Sequence, residues 1–236
     1  MLNPIEEAQH AELKKMCREL KVPAPPEIMI GLRVHDRNGD LIFDDIQRGH
    51  SWTRNYWNLL FALAASALGD ASGLFQAGKM SDKNPAGTVR STAYGPSPAE
   101  MSQDYGFNFR TASAGAGIWV GTGDTAFSVE NVAMAALVAH GNSASQLYYA
   151  AMTVPVLTYA GAGKTWTNSL ARIFNNNSGG SITIKETGLG WRGYGFSNFN
   201  EAILVERSVL SPAVAVPNGA QLTVTYEISM DFSAID

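Results

Sequence analysis

From Leu222 to Phe232 apolar and polar side chains alternate without a break. Leu222, Val224, Tyr226, Ile228, Met230 and Phe232 fall on one face, and Thr223, Thr225, Glu227, Ser229 and Asp231 on the other. A period of two predicts a half-buried strand, so Leu222 and Tyr226 are expected to point the same way into a core. Pro217-Asn-Gly219 ahead of it supplies a turn, with proline presetting φ. Further strand signals cover 118–120, 146–156, 166–174, 181–185 after the turn 175–180, and 202–209. Short strands at this spacing predict a β-sandwich or barrel.

The N-terminal half mixes periods. Ile28, Ile30, Leu32 and Val34 alternate with Met29, Gly31, Arg33 and His35, and Leu41, Ile42 and Phe43 return after Asn38-Gly39. This predicts a hairpin over 28–45 whose two turn residues both tolerate positive φ. Before it, Asn3 as cap, Pro4 at the first helical position and Glu6 in a capping box predict a helix. Leu13, Met16, Cys17 and Leu20 form its apolar stripe, and Pro23, Pro25 and Pro26 end it. The stripe can serve an arm docked on a neighbour or pack on its own domain. A second helix, from about Asn55 to Leu68 with Ser51 or Thr53 as cap, is apolar almost all round and is expected to be buried. Residues 70–117 show no sustained period and read as an extended pairing arm. The expected fold is mainly β: an antiparallel β-sandwich or barrel-like body with an N-terminal helix and one buried helix. Its parts are an N-terminal helical arm (1–27), a hairpin, buried helix and arm segment (28–117), and a C-terminal β-sandwich domain (118–236).

Charge changes the picture by exclusion. Charged residues are 16% of the 236, net charge is −4, and glycines number 23. An average soluble domain carries about 25% charged residues, so these surfaces suit contact with neighbours. Lys14, Lys15, Arg18 and Lys21 are the only dense basic cluster, which reads as a solvated helix face; nucleic-acid binding is not expected. Cys17 is the sole cysteine, so no intrachain disulfide forms. The apolar stretch Leu59 to Leu68 is shorter than the roughly 20 residues that span a bilayer, and the start of the chain is no signal peptide. A soluble protein that folds in a reducing cytosol is expected.

Several stretches imitate chemistry. Ala160-Gly-Ala-Gly-Lys-Thr165 resembles the end of a phosphate loop, but Thr158 stands where the pattern requires glycine and a strand follows where it requires a helix. Asp36-Arg-Asn38-Gly-Asp40 imitates a calcium loop, with Leu41 and Gln47 in place of its glycine and glutamate; a loose surface cation site or a plain turn remain. Asp44 and Asp45 alternate on a strand and cannot share one site. His35, His50 and His140 show no metal spacing. Gly121-Thr-Gly-Asp-Thr125 reads as a backbone anion nest or a strand-ending turn. Trp52, Tyr56 and Trp57 read as interface anchor or core. Trp191, Tyr194, Phe196 and Phe199 could stack on sugars if exposed. No catalytic, cofactor-binding or metal residue is expected, and no cofactor.

The order of blocks adds a resemblance. His50-Ser-Trp-Thr-Arg-Asn-Tyr-Trp-Asn58 follows the hairpin, and Gly121-Thr-Gly-Asp-Thr125 and Gln146-Leu-Tyr-Tyr149 come next. Then come 174–189 and 203–226, the latter ending Val216-Pro-Asn-Gly-Ala-Gln-Leu-Thr-Val-Thr-Tyr226. Over much of 28–232 the chain resembles a family of uncharacterised virion proteins of tailed phages and prophages. The resemblance implies a non-enzymatic structural component of a tailed-phage particle. A tail-associated or connector position is expected; capsid decoration, or a receptor- or carbohydrate-binding tail module, is the alternative. The implied partners are other virion proteins and copies of itself, with a host-surface glycan for the last reading. No nucleic acid or membrane is among them.

Overall fold

A computed structural model describes residues 4–22, 24–49, 51–66, 82–90, 106–107, 111–192 and 202–233; of 61–66, 82, 89 and 90 only the backbone is described. The element order is α1 (Pro4–Leu20), β1 (Glu27–His35), β2 (Leu41–Arg48), α2 (Arg54–Ser66), β3 (Asp82–Lys83), β4 (Val89–Arg90) and β5 (Gly117–Gly121), followed by β6 (Tyr148–Tyr149), β7 (Val156–Ala160), β8 (Thr165–Asn175), β9 (Ile182–Trp191), β10 (Ile203–Val216) and β11 (Gln221–Asp231). One sheet runs β2-β1-β11-β8-β6 with β7 also on β8, a second runs β10-β9-β5, and β3 pairs with β4. Every pairing of named strands is antiparallel. The protein is mainly β, with the two larger sheets packed together as a sandwich.

The alternation of β11 builds the core. Leu222 lies between Val34 and Phe174, Val224 between Leu32 and Arg172, and Tyr226 between Ile30 and Leu170. These side chains are all fully buried, facing Ile118, Val120, Ile184, Leu189 and Leu204 of the second sheet. Each fully buried aliphatic side chain contributes about 1.5–3 kcal/mol. The row ends at Tyr226: Ile228 and Met230, expected on the same buried face, are half-exposed.

The hairpin forms with a different turn. Asp36 N donates to Asp40 O at 2.8 Å and Gly39 N to Asp36 O at 3.0 Å. Only Gly39 takes positive φ, at 90°. The longer turn is closed by Asp36, whose carboxylate accepts from Asn38 N and Asp40 N, and the register shifts at Val34/His35 to absorb it. Residues 28–48 are also no separate unit. β1 pairs along its whole length with β11, so the boundary expected at 117/118 divides one sheet.

Three other expectations are corrected. The stretch 146–156 is not one strand: β6 holds two residues, Thr153 N reaches Ala171 O, and the chain re-enters the sheet at Val156. The first half of α2, where side chains are described, is one-sided: Tyr56 and Leu59 are buried while Trp57 and Leu60 are exposed. Thr53, one of the two residues expected to cap it, donates its hydroxyl to Leu204 O at 2.7 Å. That bond belongs to the segment 51–53, which lies beside β10 with Trp52 opposite Glu206 and Thr53 N on Val205 O. Within β10, Leu210 to Ala213 bulge out between Val209, opposite Glu186, and Val214, opposite Ile184. A bulge is where Pro212 is tolerated, because no ladder donor is needed there.

Candidate interaction surfaces

α1 docks by its charged edge. Glu7, His10 and Lys14, spaced to share one helix face, meet the end of the β1–β2 hairpin. Arg48 donates to both Glu7 oxygens (2.8 and 3.0 Å) and to Glu27 Oε2 (2.9 Å). His10 Nε2 lies 2.9 Å from Glu27 Oε1, and Lys14 pairs with the same carboxylate. Burial pushes the Glu27 carboxyl up, but Lys14, His10 and Arg48 outweigh it and hold it below the ordinary range. Of the apolar stripe only Cys17 is buried; Leu13, Met16 (50%) and Leu20 (69%) are exposed, as is Ile5 in the first turn. The helix is rotated so that its apolar stripe faces outward.

The second surface is the β7–β8 hairpin. All five residues of β7 are exposed, so both of its faces leave the sandwich. Leu157 is 64% and Tyr159 52% exposed, and Val154, Val156 and Trp166 are exposed beside them. The Tyr159 and Trp166 rings lie 4.7 Å apart. β7 carries no charge, and among the described residues no strand covers its outer edge. Solvent-facing edge strands are normally guarded by charge, proline or bulges. The phosphate-loop imitation is the tip of this hairpin: Gly163 N donates to Ala160 O, Lys164 turns at φ 49°, and β8 follows.

The remaining chemical candidates are absorbed by the fold. Asp36 serves its own turn, and backbone donation from Asp40 holds its carboxyl low. Asp44 pairs with Arg33 at 3.2 Å, while Asp45 lies on the opposite face of β2. Lys15 pairs loosely with Glu12 (3.8 Å) and Arg18 donates to Lys14 O, so the basic cluster does not converge. His35 ends β1. His140 accepts from Tyr149 N at 3.1 Å, and burial, then Arg172, lowers its pKa. Trp52 stacks on Tyr56 at 3.7 Å, with Trp57 exposed at the edge. Trp191 is half-buried at the end of β9; His50, Tyr194, Phe196 and Phe199 lie outside the described residues. Among the described residues no three His, Cys, Asp or Glu converge on a metal position, and no helix is long and apolar enough to cross a membrane.

Sequence reasoning missed the buried charges. Arg172 on β8 spends its five donors on the carbonyls of Ala150, Ala116, Ile118, Thr111 and Ser113, with its guanidinium 5.0 Å from the Tyr149 ring centroid. Burial lowers its pKa to about 10, so it stays charged. On the outer face of the second sheet, Arg207 meets Glu186 at 2.6 Å, Asn131 at 3.2 Å and Thr125 O at 2.9 Å. The Glu186 carboxylate also accepts from Ala135 N and Ala136 N. The anion held near Gly121-Thr-Gly123 is therefore the protein's own. A Cβ on Gly121 would come within 2.7 Å of Ala136 O, and one on Gly123 within 2.8 Å of a Glu186 oxygen. The one trace in the sequence is the pair of glycines bracketing Thr122.

No protein-family model, curated protein or solved structure matches this chain.

Proposed function

We propose that this protein is a structural component of a tailed-phage particle, tail-associated or connector, working through interfaces with copies of itself and other virion proteins and without catalysis. The observation that carries the reading is the β7–β8 hairpin: an uncharged edge strand, exposed on both faces and presenting Leu157, Tyr159 and Trp166 together on one of them, extending beyond a well-sealed sandwich. Contiguous exposed apolar surface of this kind marks an association site. The outward stripe of α1 adds to it, as an arm that would close on a neighbour. The phage assignment itself rests on the block order and the 203–226 run read in the sequence. Buried ionic staples in the body suit a part whose shape must not change when its neighbours bind. Quantitative mass spectrometry of purified particles tests the reading: the chain is expected in many copies per particle, and its absence from particles would reject it.

A further inference from the structure

The seam between the two sheets contains an acid with no cation on its side among the described residues. Glu206 points inward from β10, and its Oε2 lies 2.7 Å from the Tyr226 hydroxyl of β11. Tyr226 Oη lies 3.1 Å from Thr187 Oγ1 of β9, and Thr187 donates to Trp119 O at 2.9 Å. Ser208 Oγ closes on Glu206 Oε1. All four side chains are fully buried.

Counting hydrogens over these four contacts points to a protonated carboxyl. A carbonyl only accepts, so the Thr187 hydrogen is spent on Trp119 O. The Tyr226 hydrogen must then serve Thr187. Nothing remains for the Tyr226–Glu206 contact unless the carboxyl carries the proton. With Glu206 neutral, four contacts have four hydrogens: those of Thr187, Tyr226, Ser208 and the acid itself. With Glu206 ionised one contact is left as two facing oxygens, and a charge is buried at a cost of several kcal/mol.

We propose that Glu206 is a pH-sensitive latch between the sheets: neutral, it donates to Tyr226 and holds β10 against β11, and ionised it releases that seam. The surroundings fit. Burial pushes the Glu206 carboxyl up to about 8, with Ser208, Tyr226 and Arg207 pulling the other way. Burial, then Glu206, raises Tyr226 well above its ordinary value. Arg207 lies on the opposite face of β10, bound to Glu186 of β9. Lys185 of β9 pairs with Asp124 at the surface. On α2, Arg54 pairs with Glu130 and Tyr56 stacks on Trp52. Arg172 is taken up by carbonyls at the β5 end of the core.

Infrared difference spectroscopy across pH tests this on the full chain. At neutral pH the wild type should show the carbonyl stretch of a protonated carboxyl, lost as pH rises through about 8 and missing from Glu206→Gln, whose amide can still donate to Tyr226. In denaturant titrations the wild-type unfolding constant should rise up to about tenfold per pH unit between about 4.5 and about 8 relative to that of Glu206→Gln. Should Glu206→Gln fail to fold, Tyr226→Phe should shift the carboxyl band in frequency. No protonated band in the wild type at neutral pH, the same band in Glu206→Gln, or an unshifted band in Tyr226→Phe would each overturn the proposal.

Discussion

Arg207 and Glu186 meet at 2.6 Å with neither side chain exposed to solvent. The pair sits between the outer face of the β9–β10 sheet and the chain from Thr122 to Ala136, and each member also bonds that segment. It therefore fastens a covering loop to a sheet. Breaking a buried pair by removing one partner leaves the other charge uncompensated, at about 3–5 kcal/mol. Glu186→Gln should lower unfolding free energy by about that amount, read by urea denaturation. Amide exchange at Ala135 and Ala136 should rise with it, and a loss under about 1 kcal/mol would mean that the loop is held by packing alone.

The glycines under that loop make a second, steric prediction. Gly121→Ala should destabilise because its new Cβ meets both the Glu186 side chain and the Ala136 carbonyl, one of them rigid backbone. Overpacking of this kind costs about 1–3 kcal/mol. Gly180→Ala, with nothing within 4 Å of the added carbon, is the control and should be near neutral. Thermal melts of the two variants check it.

Arg172→Lys keeps the charge and loses the fork. A lysine has three donors where five carbonyls now receive one each. The expected loss is on the order of 3 kcal/mol, with faster hydrogen exchange over 111–118, the segment the guanidinium holds to β8. Equal protection in both proteins would show that the carbonyls are satisfied otherwise.

What could be read from residue order was what repeats along a strand. The alternation of Leu222, Val224 and Tyr226 was legible because one face is core and the other is not. Val205-Glu-Arg-Ser208 gave no such signal. Both faces of the second sheet are covered there, so Glu206 and Arg207 are each buried, on opposite sides, while looking like solvated strand positions. Gly121 and Gly123 were visible as a turn, but the acid they make room for lies more than sixty positions on. The helix of Leu13, Met16 and Leu20 was legible; its rotation was not, because that is set by Arg48 and Glu27 reaching for Glu7, His10 and Lys14. In the 28–45 hairpin Asn38-Gly39 marked the turn, while its length was decided by the Asp36 carboxylate.

The hold on α1 should fail in acid. Glu27 has its carboxyl held below the ordinary value, so its contribution is fully present above the unfolded value of 4.5 and is lost as pH falls through the depressed one. Limited proteolysis within 4–22 should accelerate over that fall. Arg48→Ala should bring the same susceptibility at neutral pH while leaving the β-sheet spectrum unchanged. Protection equal to wild type at all pH values would mean that the ionic contacts do not hold the helix.

Hydroxyl-radical footprinting of the chain in purified particles, set against the isolated chain, bears most directly on the interface reading. Leu157, Tyr159 and Trp166 should be strongly labelled in isolation and protected in the particle, while Trp119, buried in both, stays unlabelled. Equal labelling of the hairpin in the two states, or no such chain in the particle, would contradict it.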